Sequence, residues 1–392
     1  MAAETARKFE ELEAQAQRLM AVFIKAGYEA VAPAIIQPAD VFLDVIGESL
    51  RARTYVFTDP DGSELCLRPD LTVPTCRLHL ERHPEANVQA RYCYNGPAFR
   101  YQPAGASAAH PREFRQAGIE CFGETRREEA EVEVLSLILQ AVRAAGLESF
   151  GLRIGDLGLF HALLDAIEMP ERWRGRLRHQ FWRPDAFREE LTRLMRNPAD
   201  AISDLPAGLM SKLDPTDPDK SETAVAEFLE EQGIELIGAR SVREITEGLL
   251  SAAADAAAEP LSPDAAAIIE GYLAITAPAQ SAADQLNALM KERRVDIEPA
   301  LEKFRKRLQL LIDSGIDPAL IEFSAEFGRN LEYYTGFVFE IVVPKLGKGS
   351  PIAGGGRYDG LLKAVGAPEQ VPAVGSAIHT ERLLSVVNGG EA

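Results

Sequence analysis

The chain has 392 residues, 46% of them hydrophobic and 26% charged, with a formal net charge of -18 and a pI near 4.9. That length supports a large core in two or three domains, and the excess of carboxylates disfavours phosphate backbones and anionic membranes except through a local basic patch. Cys66, Cys76, Cys93 and Cys121 show neither CxxC nor metal-ligand spacing, and no apolar run reaches about 18 residues, so the sequence predicts reduced cysteines, no metal or cofactor, and a soluble cytoplasmic protein with no membrane span.

Residues 4–26 predict an amphipathic helix, with Phe9, Leu12, Leu19, Val22 and Phe23 at helical spacing. Gly27 suits its C-terminal cap. "YEAVAPAII" is a short extended run around Pro33. "RTYVFTDPDGSELCLRPDLT" predicts a β-hairpin turning at "DPDG". "VQARYCYNGPAFRYQ" and "PREFRQAGIECFGE" predict two antiparallel strands joined by a loop whose tip is "GASAA". "REEAEVEVLSLILQAVRAAG" is a helix with a glycine stop. From about 160 to 312 the composition turns to Ala, Leu, Glu and Arg, with several helix-length segments. Strand character returns at "LIEFSAEF", "GFVFEIVVP" and "SPIAGGG", and a last helix follows "PAVGSAIH". The expected organisation is an α+β core in two parts, 1–170 and 313–392, interrupted by a mainly helical insertion over 171–312.

Several polar residues interrupt this pattern in ways that suit a small ligand. Asp70 and Thr72, two apart, share a face if "LRPDLTVP" is extended; a carboxylate beside a hydroxyl suits an ammonium group, and a routine strand end would read the same. Arg100 closes an apolar strand. Period two places Gln116 and Glu120 on one sheet face, and a carboxylate in that apolar strand needs a cationic partner, either a structural arginine or a ligand amine. Arg329, Glu332, Tyr333 and Tyr334 precede a glycine triplet, and one of the two tyrosines could line a pocket. "AGGGRYDG" permits close backbone approach but lacks the spacing of a nucleotide fingerprint, and also reads as a tight strand-to-helix turn.

Taken in order, "LRPD.T", "GPAFRY", "FRQAGIECFG", "RNLEYYTGFVFE", "AGGGRYDGL" and "PAVGSAIHTERL" resemble the catalytic core of histidyl-tRNA synthetases over about 1–160 and 318–388. The resemblance implies a class II aminoacyl-tRNA synthetase fold, an antiparallel sheet flanked by helices, and a homodimer formed around Pro33. It implies a histidine pocket made of Asp70 (where the family usually has Glu), Thr72, Gln116 and Glu120 around the α-amino group. Arg100 and Arg329 would meet the carboxylate, and Tyr333 and Tyr334 the imidazole.

The departures fall on the nucleotide side. Gln102 stands where the family has a glutamate after the phenylalanine-arginine pair. The following "PAGASAAHP" is longer than the family's loop and has no basic residue for ATP phosphates. His379 replaces a glycine that leaves room for adenine, while Arg382 is kept. The synthetases continue into an anticodon-reading module, and the sequence stops at Ala392, so a chain without that module is expected. The basic run over 172–196, interleaved with Trp173, Trp182 and Phe187, reads as a solvated helix face with packed aromatics, a partner interface or a nucleic-acid patch.

An amino-acid half kept beside an eroded ATP half resembles the regulatory subunits of ATP phosphoribosyltransferase, paralogues of the synthetases. That resemblance implies no catalysis and a short-form catalytic subunit as partner. It further implies a homodimer within a larger hetero-oligomer, L-histidine as ligand, and no tRNA. Two other readings compete: an active free-standing histidine-activating enzyme, and a synthetase-like domain that binds only protein.

Overall fold

The alternating runs "ARYCYNGPAF" and "EFRQAGIECF" form the central hairpin of a computed structural model that describes residues 6–43, 47–103, 105–106, 110–196, 207–234, 241–329, 331–347 and 349–389. The strands are β1 (Glu29–Ala30), β2 (Ile36–Pro38), β3 (Tyr55–Thr58), β4 (Glu64–Leu67), β5 (Ala90–Phe99), β6 (Glu113–Phe122), β7 (Gly151–Asp156), β8 (Thr276–Pro278), β9 (Ile321–Ser324), β10 (Phe337–Val342), β11 (Ala353–Arg357) and β12 (Ala373–His379). Nine of them form one sheet in the order β1-β5-β6-β12-β11-β10-β7-β9-β8, and β2-β4-β3 form a second. Only the β1–β5 and β7–β9 pairs are parallel.

The chain divides into two units, residues 1–166 with 271–392, and residues 167–270. In the first unit the helix Arg127–Ala144 packs across β6, β11 and β12, burying Val134, Leu135, Ile138 and Val142. Its Glu131 is 1% exposed. Glu131 accepts hydrogen bonds from Arg307 and from Arg357 of β11. Arg307 also donates to Asp156 at 2.6 Å, and Arg357 to Asp359 at 2.8 Å. The two guanidiniums thus bridge three buried carboxylates on the sheet face beneath that helix, and Arg127 pairs with Asp359 at 3.2 Å.

The second unit holds the basic run. Asp255 is buried and accepts from Arg172, from the Trp173 indole at 2.7 Å and from Arg176 at 2.6 Å. Burial pushes its carboxyl up, yet these donors outweigh burial and hold it below the ordinary carboxylate range. Glu190 takes Arg176 and Arg193, both at 2.8 Å, and Glu171 takes Arg178 at 3.3 Å. Trp173 and Phe187 are buried. These arginines bind the unit's own carboxylates.

Three sequence expectations change. Residues 271–312 do not belong to the insertion: β8 pairs with β9, Phe304 packs on Phe323 of β9 with ring centroids 5.0 Å apart, and Arg307 anchors the core. Helical composition alone cannot distinguish an inserted helix from one that covers a sheet. The hairpin turns at Gly62 (φ 91°) as expected, but the chain after β4 is not extended. Thr72–Arg82 is a helix whose first turn contains Pro74, where a missing N–H costs nothing. The segment holding Tyr333 and Tyr334 is likewise a turn, so both rings point inward.

Arg307→Ala strands Asp156 without its cation, leaves Glu131 with Arg357 alone, and should lower stability by about 3–5 kcal/mol. A loss under about 1 kcal/mol in urea unfolding would mean that this network does not hold the core.

Candidate functional site

Period two along β6 puts Gln116, Gly118 and Glu120 on the sheet face opposite the Glu131 network. Across the ladder, Glu120 pairs with Gly375 and Gly375 with Gly356, while Gly118 pairs with Ala377 and Ala377 with Gly354. The floor of the site is therefore almost bare backbone. A methyl at Gly375 would overlap the Glu120 carboxylate, and one at Gly354 would overlap the Arg329 guanidinium. At Gly375 a Cβ would also meet backbone, the Ile119 carbonyl at 2.7 Å, whereas at Gly354 it would meet only the flexible Arg329 guanidinium.

Glu120 is fully buried. Its Oε1 accepts from the Thr72 hydroxyl and the Tyr94 hydroxyl, both at 2.8 Å, and its Oε2 accepts from the Tyr358 hydroxyl. Burial pushes the carboxyl up to about 7, although all three hydroxyls favour the ionised form. Tyr94 and Tyr358 are themselves raised well above the ordinary phenol by burial and by Glu120, so both keep the protons they donate. The sequence reading missed these two tyrosines. The available signal was period two from Tyr94 to the turn beyond β5, and the Arg-Tyr-Asp after the glycines. Arg357 and Asp359 anchor that tripeptide behind the sheet, so Tyr358 must project in front.

Asp70 lies in the turn before the helix Thr72–Arg82. One carboxylate oxygen accepts from the Val73 amide at 3.2 Å. Burial raises its carboxyl, with Arg100 opposing. Arg100 donates to the Pro69 carbonyl at 2.9 Å and lies 5.0 Å from the Phe114 ring centroid; burial pushes it down to about 10. Arg329 adopts a left-handed backbone (φ 56°), lies 5.9 Å from the Tyr334 centroid and makes one long bond, 3.4 Å, to the Phe339 carbonyl. Tyr333 and Tyr334 are both buried with centroids 4.8 Å apart, and each contacts Tyr358 edge-on. The eight sequence candidates thus fall on one face of the sheet and the turns beside it.

Three buried polar atoms here have no hydrogen-bond partner among the described residues: Asp70 Oδ2, Gln116 Oε1 and Arg329 Nε. Two are acceptors and one is a donor. Leaving such groups unmet costs about 1–3 kcal/mol each.

The other end of the site is occupied. His379 pairs with Gln116 across β6–β12, and its ring stacks on Phe114 at 4.8 Å with 26° between planes. Burial and then the guanidiniums of Arg382, Arg100 and Arg329 hold its imidazole well below its usual range, so it is neutral. Gln102 is held in place: its side-chain oxygen accepts from Arg53 at 2.6 Å, and its amide donates to the Pro111 carbonyl at 3.0 Å. The loop tip "GASAA" lies largely outside the described residues.

A family model described as histidyl-tRNA synthetase matches residues 4–216 and 222–383. An ATP phosphoribosyltransferase regulatory subunit of Brucella anthropi is 36% identical over 367 residues, covering 92% of this chain and 93% of that protein. One from Mesorhizobium japonicum is 35% identical over 376 residues, covering 94% and 96%. A solved Bacillus halodurans structure, described as an ATP phosphoribosyltransferase regulatory subunit/histidyl-tRNA synthetase, superposes with a TM-score of 0.70. It covers 99% of this chain and 82% of that one, and at 21% identity it supports the fold alone. The chain belongs to the histidyl-tRNA synthetase family by fold and, within it, to the ATP phosphoribosyltransferase regulatory subunits.

Proposed function

We propose that this chain is the non-catalytic partner of a short-form ATP phosphoribosyltransferase, acting at the first step of histidine biosynthesis. It activates that catalytic subunit and carries feedback inhibition by L-histidine bound in the Glu120 pocket. The observation that carries the ligand reading is the set of unmet atoms. Asp70 Oδ2 and Gln116 Oε1 suit an α-ammonium, and Arg329 Nε, with Arg100 nearby, suits a carboxylate. Tyr333, Tyr334 and the hydroxyl-ringed Glu120 offer the aromatic, polar wall that an imidazole needs.

The competing reading, a free-standing histidine-activating enzyme, is disfavoured by the stacked His379 and the tethered Gln102. tRNA is disfavoured by the net charge of -18 and by the internally paired arginines of 172–196. No helix among the described residues is long and apolar enough to cross a membrane, in keeping with a place in the cytoplasm.

The homodimer within the larger hetero-oligomer has a surface to use. In the small sheet, Ile36, Leu67 and Tyr55 form one row and Pro38, Leu65 and Phe57 the next, all on one face. Ile36 is 53% exposed and Phe57 38%. Six uncharged side chains in two rows form a patch of the kind that covers itself against a second copy.

The test is reconstitution with the short catalytic subunit. Asp70→Asn should leave activation near the wild-type level while raising the histidine concentration for half-inhibition at least about tenfold, the loss expected for one charged hydrogen bond. Unchanged inhibition would place feedback elsewhere, and a chain that neither activates nor associates would end the proposal. Light scattering of the chain alone should give a dimer; a monomer at micromolar concentration contradicts self-association through this patch.

Glu120 supplies a pH test. Its carboxyl protonates as pH falls through about 7, and a cationic ligand favours the ionised form. Histidine binding should therefore release protons and weaken below pH 7, by at most about tenfold per unit. The difference between wild type and Glu120→Gln removes histidine's own titration. Identical profiles for the two would contradict the contact.

A further inference from the structure

Among the described residues four strands end a sheet: β1 and β8 in the large one, β2 and β3 in the small one. β1 has only two residues, and β2 and β8 each carry a proline, Pro38 and Pro278. Short length and proline are common means of keeping a sheet edge from pairing. β3 has neither. Its Tyr55–Thr58 holds no charge and no proline, pairs one to one with β4, and leaves Val56 44% and Phe57 38% exposed. The Asp59 amide donates to the Ser63 carbonyl at 2.9 Å, and antiparallel pairs alternate, so Phe57 and Tyr55 also turn their backbone groups toward β4. The N–H and C=O groups of Val56 and Thr58 therefore face outward, where no described strand meets them. Beside this edge Tyr101 is 42% exposed, its ring 6.1 Å from that of Tyr55.

The sequence of the edge complements itself. Laid antiparallel on its own copy about Val56, "RTYVFTD" sets Tyr55 against Phe57, Thr54 against Thr58 and Arg53 against Asp59. An aromatic pair, a threonine pair and a pair of opposite charges are all favourable across strands, and a two-fold axis at Val56 makes each of them twice. We propose that the homodimer forms along β3, whose outer edge pairs antiparallel with β3 of a second copy, Val56 opposite Val56, so that two three-stranded sheets become one. The two Val56 residues exchange both of their backbone bonds. Each Thr58 amide meets the Thr54 carbonyl of the second copy, while the Thr54 amide keeps its bond to the Arg51 carbonyl at 3.1 Å. The apolar rows of the exposed face then run on across the seam, from Leu67 and Tyr55 to Phe57 and Leu65 of the second copy. The inference rests on the homodimer reading above and gives its geometry: the small sheets join edge to edge and do not stack face to face.

Val56 separates these two geometries, because its side chain points to the face opposite Tyr55 and Phe57, in line with the buried Cys66 and Gln37. The measurement is light scattering of the full chain over a dilution series. Wild type and Val56→Thr should dimerise alike. Val56→Asp sets two carboxylates against each other on the axis and should raise the dimer dissociation constant at least about tenfold. Val56→Lys serves as the second variant where a melt shows the aspartate form unfolded, and it should show the same loss. All four native cysteines are buried, so a short thiol cross-linker should join Val56→Cys to its own copy. A folded Val56→Asp or Val56→Lys that dimerises like wild type overturns the edge seam and leaves the homodimer standing through another surface. So does a dimeric Val56→Cys that the cross-linker fails to join. A wild-type chain that stays monomeric at micromolar concentration ends the homodimer reading and the seam with it.

Discussion

The carboxylate of Glu120 has no water to face, and much of the core is arranged to make that tolerable. A buried carboxylate without partners would cost several kcal/mol or lose its charge. Three hydroxyls from three different elements converge on it: Thr72 from the start of a helix, Tyr94 from β5 and Tyr358 from the turn after β11. Each is fixed by something further away. Tyr358 is flanked by Arg357 and Asp359, which are tied through Glu131 to Arg307 and Asp156 on the opposite face of the sheet. Pocket and ionic network are thus two sides of one strand, and a Cβ at Gly375 between them would meet the Glu120 carboxylate and the Ile119 carbonyl.

The electrostatics of the pocket divide it. Near Glu120 and Asp70 two carboxyls are raised by burial, with Arg100 and Arg68 opposing it at Asp70. Toward Arg100, Arg329 and Arg382 the field is positive, and burial lowers Arg100 and Arg382 to about 10. The proposed ligand, a zwitterion about one amino acid long, would meet both ends at once. A nucleotide would need the ground held by His379, and the neutral Gln102 bound to Arg53 sits where the synthetases keep a negative charge. The family's fold is retained in a chain that belongs to the regulatory subunits, since fold alone does not fix function.

Much of this was legible in the sequence because period two is strict. Gln116 and Glu120 had to share a face once "FRQAGIECFG" was a strand, and the "DPDG" turn fixed the hairpin. Asp70 and Thr72 were placed together for a mistaken reason. They meet through a helix start, whose signal was Pro74 in a run that also reads as extended. Tyr333 and Tyr334 lie in a turn, and turns escape periodicity. Tyr94 and Tyr358 were hidden because a tyrosine among apolar neighbours looks like core until its hydroxyl finds a partner. The boundary at 271, not 312, was unreadable for a simpler reason: the helix Glu298–Asp313 has the composition of the insertion and the contacts of the core.

The central claim is that the pocket reads both charges of a free amino acid. Its most direct test is calorimetric titration of the purified chain with L-histidine, histidinol and imidazolepropionate, which share the imidazole and lack, respectively, nothing, the carboxylate and the ammonium. L-histidine should bind, and each analogue should bind at least about tenfold more weakly, since each leaves a buried charged group unmet. Equal binding of all three, or none by L-histidine, would contradict it.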